Sequence, residues 1–250
     1  MLLDFGHTID GVNDKGLSNL FNKLTNIAIR LFNYARSINF IRDKWLYNEY
    51  IKNNKIRKLH IGCGRSLIKG WLNTDYYGGK DIMRLDATKK FPFKDNEFDY
   101  IFSEHMIEHI SYNDATKMLK ECFRILKPGG KIRISTPDIR KIITLFNPKT
   151  ETHKSYIEWS IENWCCNKYP KVFSPAFVVN NYVRDWGHQF IYDIETLELN
   201  LSIAGFVDIP KKTLSISESS DVNLSLLENE ARMPPGFLEF ETITLEGLKP

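Results

Sequence analysis

The sequence predicts an α/β protein with a mostly parallel sheet of seven strands and helices on both faces. Three observations predict it. From residue 58 onward, short apolar runs of strand length alternate with amphipathic helical runs, as in successive βαβ units. The first four strand-like runs lead to Gly62, Asp75, Asp86 and Ser103. Those positions are strand carboxyl ends, where such sheets hold ligands. Finally, the helical run from Asp114 stops at Lys127-Pro128-Gly129-Gly130, a sequence of breakers that leads into the next strand.

The elements follow in order. Residues 1–16 show no period and form a loose lead-in. Leu20, Leu24, Ile27, Leu31, Tyr34, Ala35 and Ile38 recur at helical spacing, and a second helical stretch covers Asp43 to Lys52. Leu59-His60-Ile61 is a strand entering Gly62-Cys63-Gly64. Trp71-Leu72-Asn73, Ile82 to Leu85 and Phe98 to Phe102 are the next three strands. Asp114 caps a helix whose stripe is Ala115, Met118, Leu119, Cys122, Phe123 and Leu126. Lys131 to Thr136 is a strand, and Pro137-Asp138 opens a helix running to Phe146. Asp193 caps a helix that Gly205 stops, and Phe206 to Ile209 and Phe240 to Leu245 are the last two strands.

Residues 1–57 thus form a helical extension, and 58–250 the main domain with an insertion at 147–187. At 42% apolar and 26% charged residues, the chain can build a sizeable core without disulfides. The net charge of +3 is too small to specify nucleic acid or anionic membrane. It is uneven, with nine Lys or Arg against Asp43 and Glu49 between Ser18 and Lys58. Two readings of this basic stretch stay open. It caps the main domain, or it presents a surface to a membrane periphery or an anionic partner. No run of about 18 apolar residues exists, so no transmembrane segment is expected. Cys63, Cys122, Cys165 and Cys166 contain no Cys-x-x-Cys pair, which points to reduced thiols and a cytoplasmic location.

Gly62-Cys63-Gly64 lets a ligand approach the backbone closely. Leu67 stands where a dinucleotide fingerprint needs its third glycine, which disfavours a nicotinamide cofactor, and no Gly-Lys-Ser/Thr loop follows for phosphate. A carboxylate at Asp75 can accept from ribose hydroxyls, and one at Asp86 from an amino group. His105, His109 and His188 are candidate bases. His105 and His109 are four apart, but the run is not His-Glu-x-x-His, so no metal is expected. The insertion's Tyr156, Trp159, Trp164, Tyr169, Phe173, Phe177, Tyr182 and Trp186 form either an acceptor-stacking lid or an extra hydrophobic layer. Arg184 and Asp185 add candidate polar contacts.

The runs KLHIGCG (58–64), GWLNTD (70–75), RLDATKKFPFKDNEFDYIFSEHMIEHI (84–110) and LKPGGKIRISTPD (126–138) resemble the core of class I S-adenosylmethionine-dependent methyltransferases. They look most like the small methyltransferase domains of polysaccharide and lipid-glycan pathways. WGHQFIYDIETLELNLSIAGF (186–206) resembles the family's later helix. The resemblance implies a Rossmann-like methyltransferase fold with an antiparallel last strand, and S-adenosylmethionine as cofactor. Gly62, Cys63 and Gly64 would face its methionine part. Asp75 and Tyr76 would hold the ribose, and Asp86 with Ala87 the adenine. Ser103, Glu104 and His105 would line the pocket, with His105 and His188 as catalytic residues. Only eleven positions separate Gly64 from Asp75, so the first crossover must be a turn rather than a helix.

The acceptor expected is a hydroxyl of a carbohydrate or other small molecule, and nucleic acid is not expected. Amino-directed nucleic-acid methyltransferases carry Asn/Asp-Pro-Pro-aromatic after the fourth strand, where this chain reads Ser103-Glu104-His105-Met106. An RNA-directed enzyme and an inactive partner module are the alternatives.

Overall fold

The computed structural model describes residues 24–25, 39–165, 173–219 and 221–250. The chain divides into two compact units, 1–45 and 46–250. The described residues of the first unit are helical. Apart from Leu24, the stripe expected over Leu20 to Ile38 lies outside the described residues, as do Cys166 and Tyr169.

The second unit begins with a helical stretch, α1 (46–53). Its Tyr50 hydroxyl donates to the Lys58 carbonyl at 2.9 Å, and Tyr47 donates to Glu97 Oε1 at 2.7 Å. Next come β1 (Lys58–Ile61), β2 (Leu72–Asp75), β3 (Met83–Arg84) and β4 (Phe98–Glu104). After them come α2 (Tyr112–Ile125), β5 (Leu126–Pro137), α3 (Ile139–Thr144), α4 (Glu151–Ser160), α5 (Pro175–Arg184), α6 (Ile194–Ala204), α7 (Phe237–Glu241) and β6 (Thr242–Leu248). The sheet runs β3-β2-β1-β4-β5-β6, every pair parallel except β5 with β6. This is the Rossmann-like architecture expected, with its antiparallel last strand. Parallel register sets Leu72, Leu59, Ile101 and Ile132 in one row across the sheet. All four are buried, and each contributes about 1.5–3 kcal/mol by leaving water.

Among the described residues the sheet has six strands, not seven. The expected strand over Phe206 to Ile209 is a single bridge from Val207 to Leu248. Asp208 turns left-handed (φ 55°) and Pro210 has no N–H to donate, so the ladder cannot continue. Other boundaries also move. Ser111, not Asp114, caps α2, its hydroxyl accepting from Asp114 N at 3.2 Å. β5 starts at Leu126, because the Pro-Gly-Gly breakers form an irregularity inside the strand, with a register shift opposite Phe98 and Tyr100. β6 starts at Thr242, because Phe237–Glu241 is helical. The first crossover is a turn, as the spacing requires.

The amphipathic helix α2 buries Ala115, Met118, Leu119, Cys122 and Ile125. α6 has the expected Asp193 cap in a box with Thr196, and Gly205 ends it at φ 108°. The insertion folds into a second apolar layer with α3 and α7, in which Tyr156, Ile157, Val178, Tyr182, Phe237 and Leu238 are buried together. Cys63 and Cys122 are buried free thiols, and Cys165 is buried as well.

One charged residue sits inside the sheet layer. Arg133 of β5 is fully buried. Its Nε donates to Glu228 at 2.7 Å and its Nη1 to Glu246 at 2.8 Å. Its remaining donors reach the carbonyls of Ser215, Ile216 and Glu218. All five guanidinium N–H groups are thus used. They staple the irregular stretch 213–228 onto the sheet.

Candidate active site

Four strand ends build the site. After β1 the backbone turns through Gly62 (φ 69°) and Gly64 (φ 52°), conformations that glycine adopts without steric cost. At Gly62 a Cβ would also lie 2.2 Å from Met106 Cγ. Asp75 ends β2, and its Oδ2 accepts from Gly64 N at 3.1 Å while Oδ1 accepts from Tyr77 N at 3.2 Å. Asp86 Oδ1 accepts from Thr88 N at 2.9 Å and from its hydroxyl at 2.7 Å.

These groups line a cavity of about 740 Å³, with Gly62, Gly64, Asp75, Tyr76, Asp86, Ala87 and His105 among its walls. Three residues expected there are not. Cys63 is buried, its N–H bound to the Thr74 carbonyl at 2.9 Å. Ser103 points into the sheet layer and is buried. Glu104 turns the other way and accepts from Asn229 N at 3.0 Å. Alternation along a strand sends neighbouring side chains to opposite faces, so Ser103, Glu104 and His105 cannot all face one pocket.

A second cavity, of about 390 Å³, is lined by His105, Glu108, His109, Trp164, Tyr182, Trp186, His188, Arg232 and Glu241 among others. His105, His109 and Trp186 line both, so the two cavities meet there. Arg184 and Asp185 line neither. Of the insertion's aromatics, Trp164, Tyr182 and Trp186 face the second cavity, while Tyr156 packs in the apolar layer.

His105 occupies the junction with a left-handed backbone (φ 46°). Its Nε2 lies 3.1 Å from Thr242 Oγ1 and its Nδ1 3.4 Å from Glu108 Oε1. Burial, with the Arg232 charge, pushes the imidazole down to about 4, so it is neutral near pH 7. His188 is also lowered by burial, and its Nδ1 lies 2.7 Å from the Tyr182 carbonyl.

Sequence reasoning missed two residues here: Arg232, because the stretch 210–236 has no period to place it, and Glu241, because it falls in the strand expected from Phe240 but in fact ends α7. Glu241 is buried and accepts from the Tyr156 and Tyr182 hydroxyls. Burial, followed by the Glu108 and Glu104 charges, raises its carboxyl to about 8 despite the Tyr156 bond. An acid raised in the fold stabilises most below its unfolded value near 4.5, and that contribution is lost as pH climbs to about 8. Glu241→Gln, which keeps the acceptor oxygen and the uncharged form, is therefore expected to gain thermal stability relative to wild type between pH 5 and 8. Melting curves across that range test this, and parallel curves would refute it.

The turn itself gives a second test. Gly62→Ala is expected to cost about 1–3 kcal/mol by overpacking against Met106, beyond about 1–2 kcal/mol for its left-handed backbone. Gly64→Ala, with open space around its Cβ, carries only the backbone part. Unfolding midpoints of the two variants should differ accordingly.

The residues present fit S-adenosylmethionine. At Gly64 nothing lies within 4 Å of where a Cβ would stand, which leaves the turn open to a ligand, and two strand-end carboxylates offer acceptors for a ribose diol and an amino group.

Comparison with known proteins finds the following similarities. Residues 59–134 match the family model described as methyltransferase domain. A 45-residue stretch, 18% of this chain, is 44% identical to phosphoethanolamine N-methyltransferase 2 of Caenorhabditis elegans, spanning 10% of that protein. Among solved structures, a SAM-dependent methyltransferase from Archaeoglobus fulgidus is similar at 17% identity and a TM-score of 0.45, covering 84% of this chain and 94% of that one. Phosphoethanolamine N-methyltransferase 2 of Haemonchus contortus, in complex with S-adenosyl-L-methionine, is similar at 18% identity and a TM-score of 0.44, covering 78% of this chain and 49% of that one. Over residues 59–134, then, the chain is similar to methyltransferase domains.

Proposed function

We propose that the protein methylates a hydroxyl of a small-molecule acceptor, a carbohydrate or glycan-linked compound, with S-adenosylmethionine as donor. The observation that carries this reading is the meeting of the two cavities at His105, His109 and Trp186. The larger has the Gly62–Gly64 turn, Asp75, Tyr76, Asp86 and Ala87 for a nucleoside-like ligand. The smaller offers Trp164, Tyr182 and Trp186 as flat faces for a ring.

Bound S-adenosylmethionine supplies an electrophilic methyl group. The chain aligns the acceptor and receives its proton, the two contributions that direct displacement needs. Asp75 and the glycine turn orient the nucleoside end. His105, at the junction, is placed to take the acceptor's proton. His188, with Nδ1 bonded to the Tyr182 carbonyl, lines the second cavity beside the acceptor. Trp186 lines both cavities and excludes water between them.

The test is incubation with S-adenosylmethionine labelled in its methyl group and a panel of sugars, glycolipids, small amines and RNA. Label on a sugar oxygen, lost in a His105→Ala variant that still binds S-adenosylhomocysteine, is expected. Label on RNA alone would establish the nucleic-acid reading instead. A folded protein that binds no S-adenosylhomocysteine would leave the partner-module reading.

A further inference from the structure

The second cavity holds a cluster that methyl transfer as described does not use fully. Glu108, His109 and His188 each place one ligand atom within 4.8 Å of the others. The His109 and His188 ring centroids lie 4.7 Å apart. We propose that Glu108, His109 and His188 bind a divalent cation of the zinc class, with an open coordination position toward the acceptor.

Two imidazoles and one carboxylate are a ligand set of catalytic zinc sites, in which the fourth position belongs to water or substrate. Such ligands sit about 2.0–2.2 Å from the ion. The three groups here must therefore draw in by roughly an ångström on binding.

The individual side chains are prepared for this. Glu108 is fully buried. Its Oε2 accepts from Thr136 Oγ1 at 2.9 Å, while Oε1 has only the longer contact with His105 Nδ1 at 3.4 Å. A buried carboxylate oxygen so weakly partnered is costly, and a cation at this point reduces the cost. The 2.7 Å contact of His188 Nδ1 with the Tyr182 carbonyl requires the proton on Nδ1, which leaves Nε2 as the lone-pair donor. A ligating histidine is ordinarily oriented through its other nitrogen in this way.

The backbone holds the pair of loops together. Glu108 and His109 sit in the 3-10 turn Ile107–His109 after β4. The stretch carrying His188 docks on it through Gln189 N and Phe190 N, which donate to the Glu108 carbonyl at 2.7 and 3.2 Å. Gln189 Nε2 adds a bond to the His109 carbonyl at 2.9 Å. The i, i+4 spacing of His105 and His109 gave no metal motif. The partner of His109 is His188, 79 positions away by number, and only the fold reveals it.

A cation here would hold and acidify the acceptor hydroxyl beside His105. That role rests on the methyltransferase reading, but the site itself does not. Chelator-treated protein is titrated with Co²⁺ and followed by visible d–d absorption, then with competing Zn²⁺. S-adenosylhomocysteine binding is measured by calorimetry on the same samples. One equivalent of Co²⁺ is expected, displaced by Zn²⁺. His188→Ala and Glu108→Gln should each weaken Co²⁺ binding at least about 100-fold while S-adenosylhomocysteine still binds. Should Glu108→Gln fail to fold, His188→Ala decides alone. A folded protein that binds S-adenosylhomocysteine but no Co²⁺ overturns the site, as does Co²⁺ uptake unchanged by His188→Ala. Co²⁺ binding lost in the variants, in a protein that never binds S-adenosylhomocysteine, upholds the site and removes the methyltransferase reading.

Discussion

Arg133→Met is expected to cost about 3–5 kcal/mol of folding stability, the usual penalty for removing one partner of a buried charge pair. Arg133 and Glu228 are both fully buried at their side chains, and Glu246 nearly so. Methionine fills much of the same volume but leaves the two carboxylates without their cation. Three carbonyls, of Ser215, Ile216 and Glu218, lose donors as well. The triple variant Arg133→Met/Glu228→Gln/Glu246→Gln should recover part of the loss, because it removes the stranded charges along with the guanidinium. Arg140→Met is the control. Its pairs with Asp193 and Glu195 lie at the surface, where water and salt screen them. Urea unfolding of the four proteins, compared at constant m-value, measures this. An Arg133→Met midpoint equal to that of Arg140→Met would contradict the account. The loss should also reach the site, since Glu228 adjoins Asn229, which bonds Glu104 at 3.0 Å and Ser66 at 3.0 Å.

Asp75→Ala is expected to weaken S-adenosylhomocysteine binding about 100-fold or more, with little change in global stability. The carboxylate has two duties. It holds the Gly64 and Tyr77 N–H groups, which shapes the turn, and it faces the cavity as a charged acceptor. A hydrogen bond to a charged group contributes about 1.5–3 kcal/mol, so losing a ribose contact alone gives roughly a tenfold to hundredfold loss. Disorder of the turn adds to it. Asp75→Asn separates the two, because its amide oxygen can still accept from one backbone N–H. Calorimetry on both variants should therefore rank wild type first, asparagine second and alanine last. Equal affinity in all three would remove Asp75 from the cofactor site.

The convergence of Gly62, Asp75 and Asp86 on one cavity was legible in the sequence for a physical reason. In a parallel sheet every strand delivers its last residue to the same edge, so Gly62, Asp75 and Asp86 converge whatever the rest of the chain does. Where the reading failed, the geometry was local or long-range. Ser103 and Glu104 were placed in the pocket with His105, although alternation permits only some of them to face it. Asp114 was the obvious cap for α2, but Ser111 lies one turn earlier and takes that role by bonding Asp114 N. The seventh strand failed at Asp208, whose left-handed backbone no periodicity announces. The acceptor side was largely illegible. Arg232 comes from an irregular stretch and Glu241 from the end of α7, and the meeting of His109 with His188 depends on the stretch after the insertion docking on the turn after β4.

The left-handed backbone of His105 has a consequence for how this position behaves under selection. A residue with a Cβ costs about 1–2 kcal/mol more than glycine in that conformation. The fold therefore favours glycine at 105, or asparagine, as far as the backbone is concerned. A library randomised at this position and sorted for thermal resistance alone should drift toward those two residues. The same library sorted for turnover should return histidine, and the gap between the two outcomes would measure how far stability and chemistry pull apart at the junction of the two cavities.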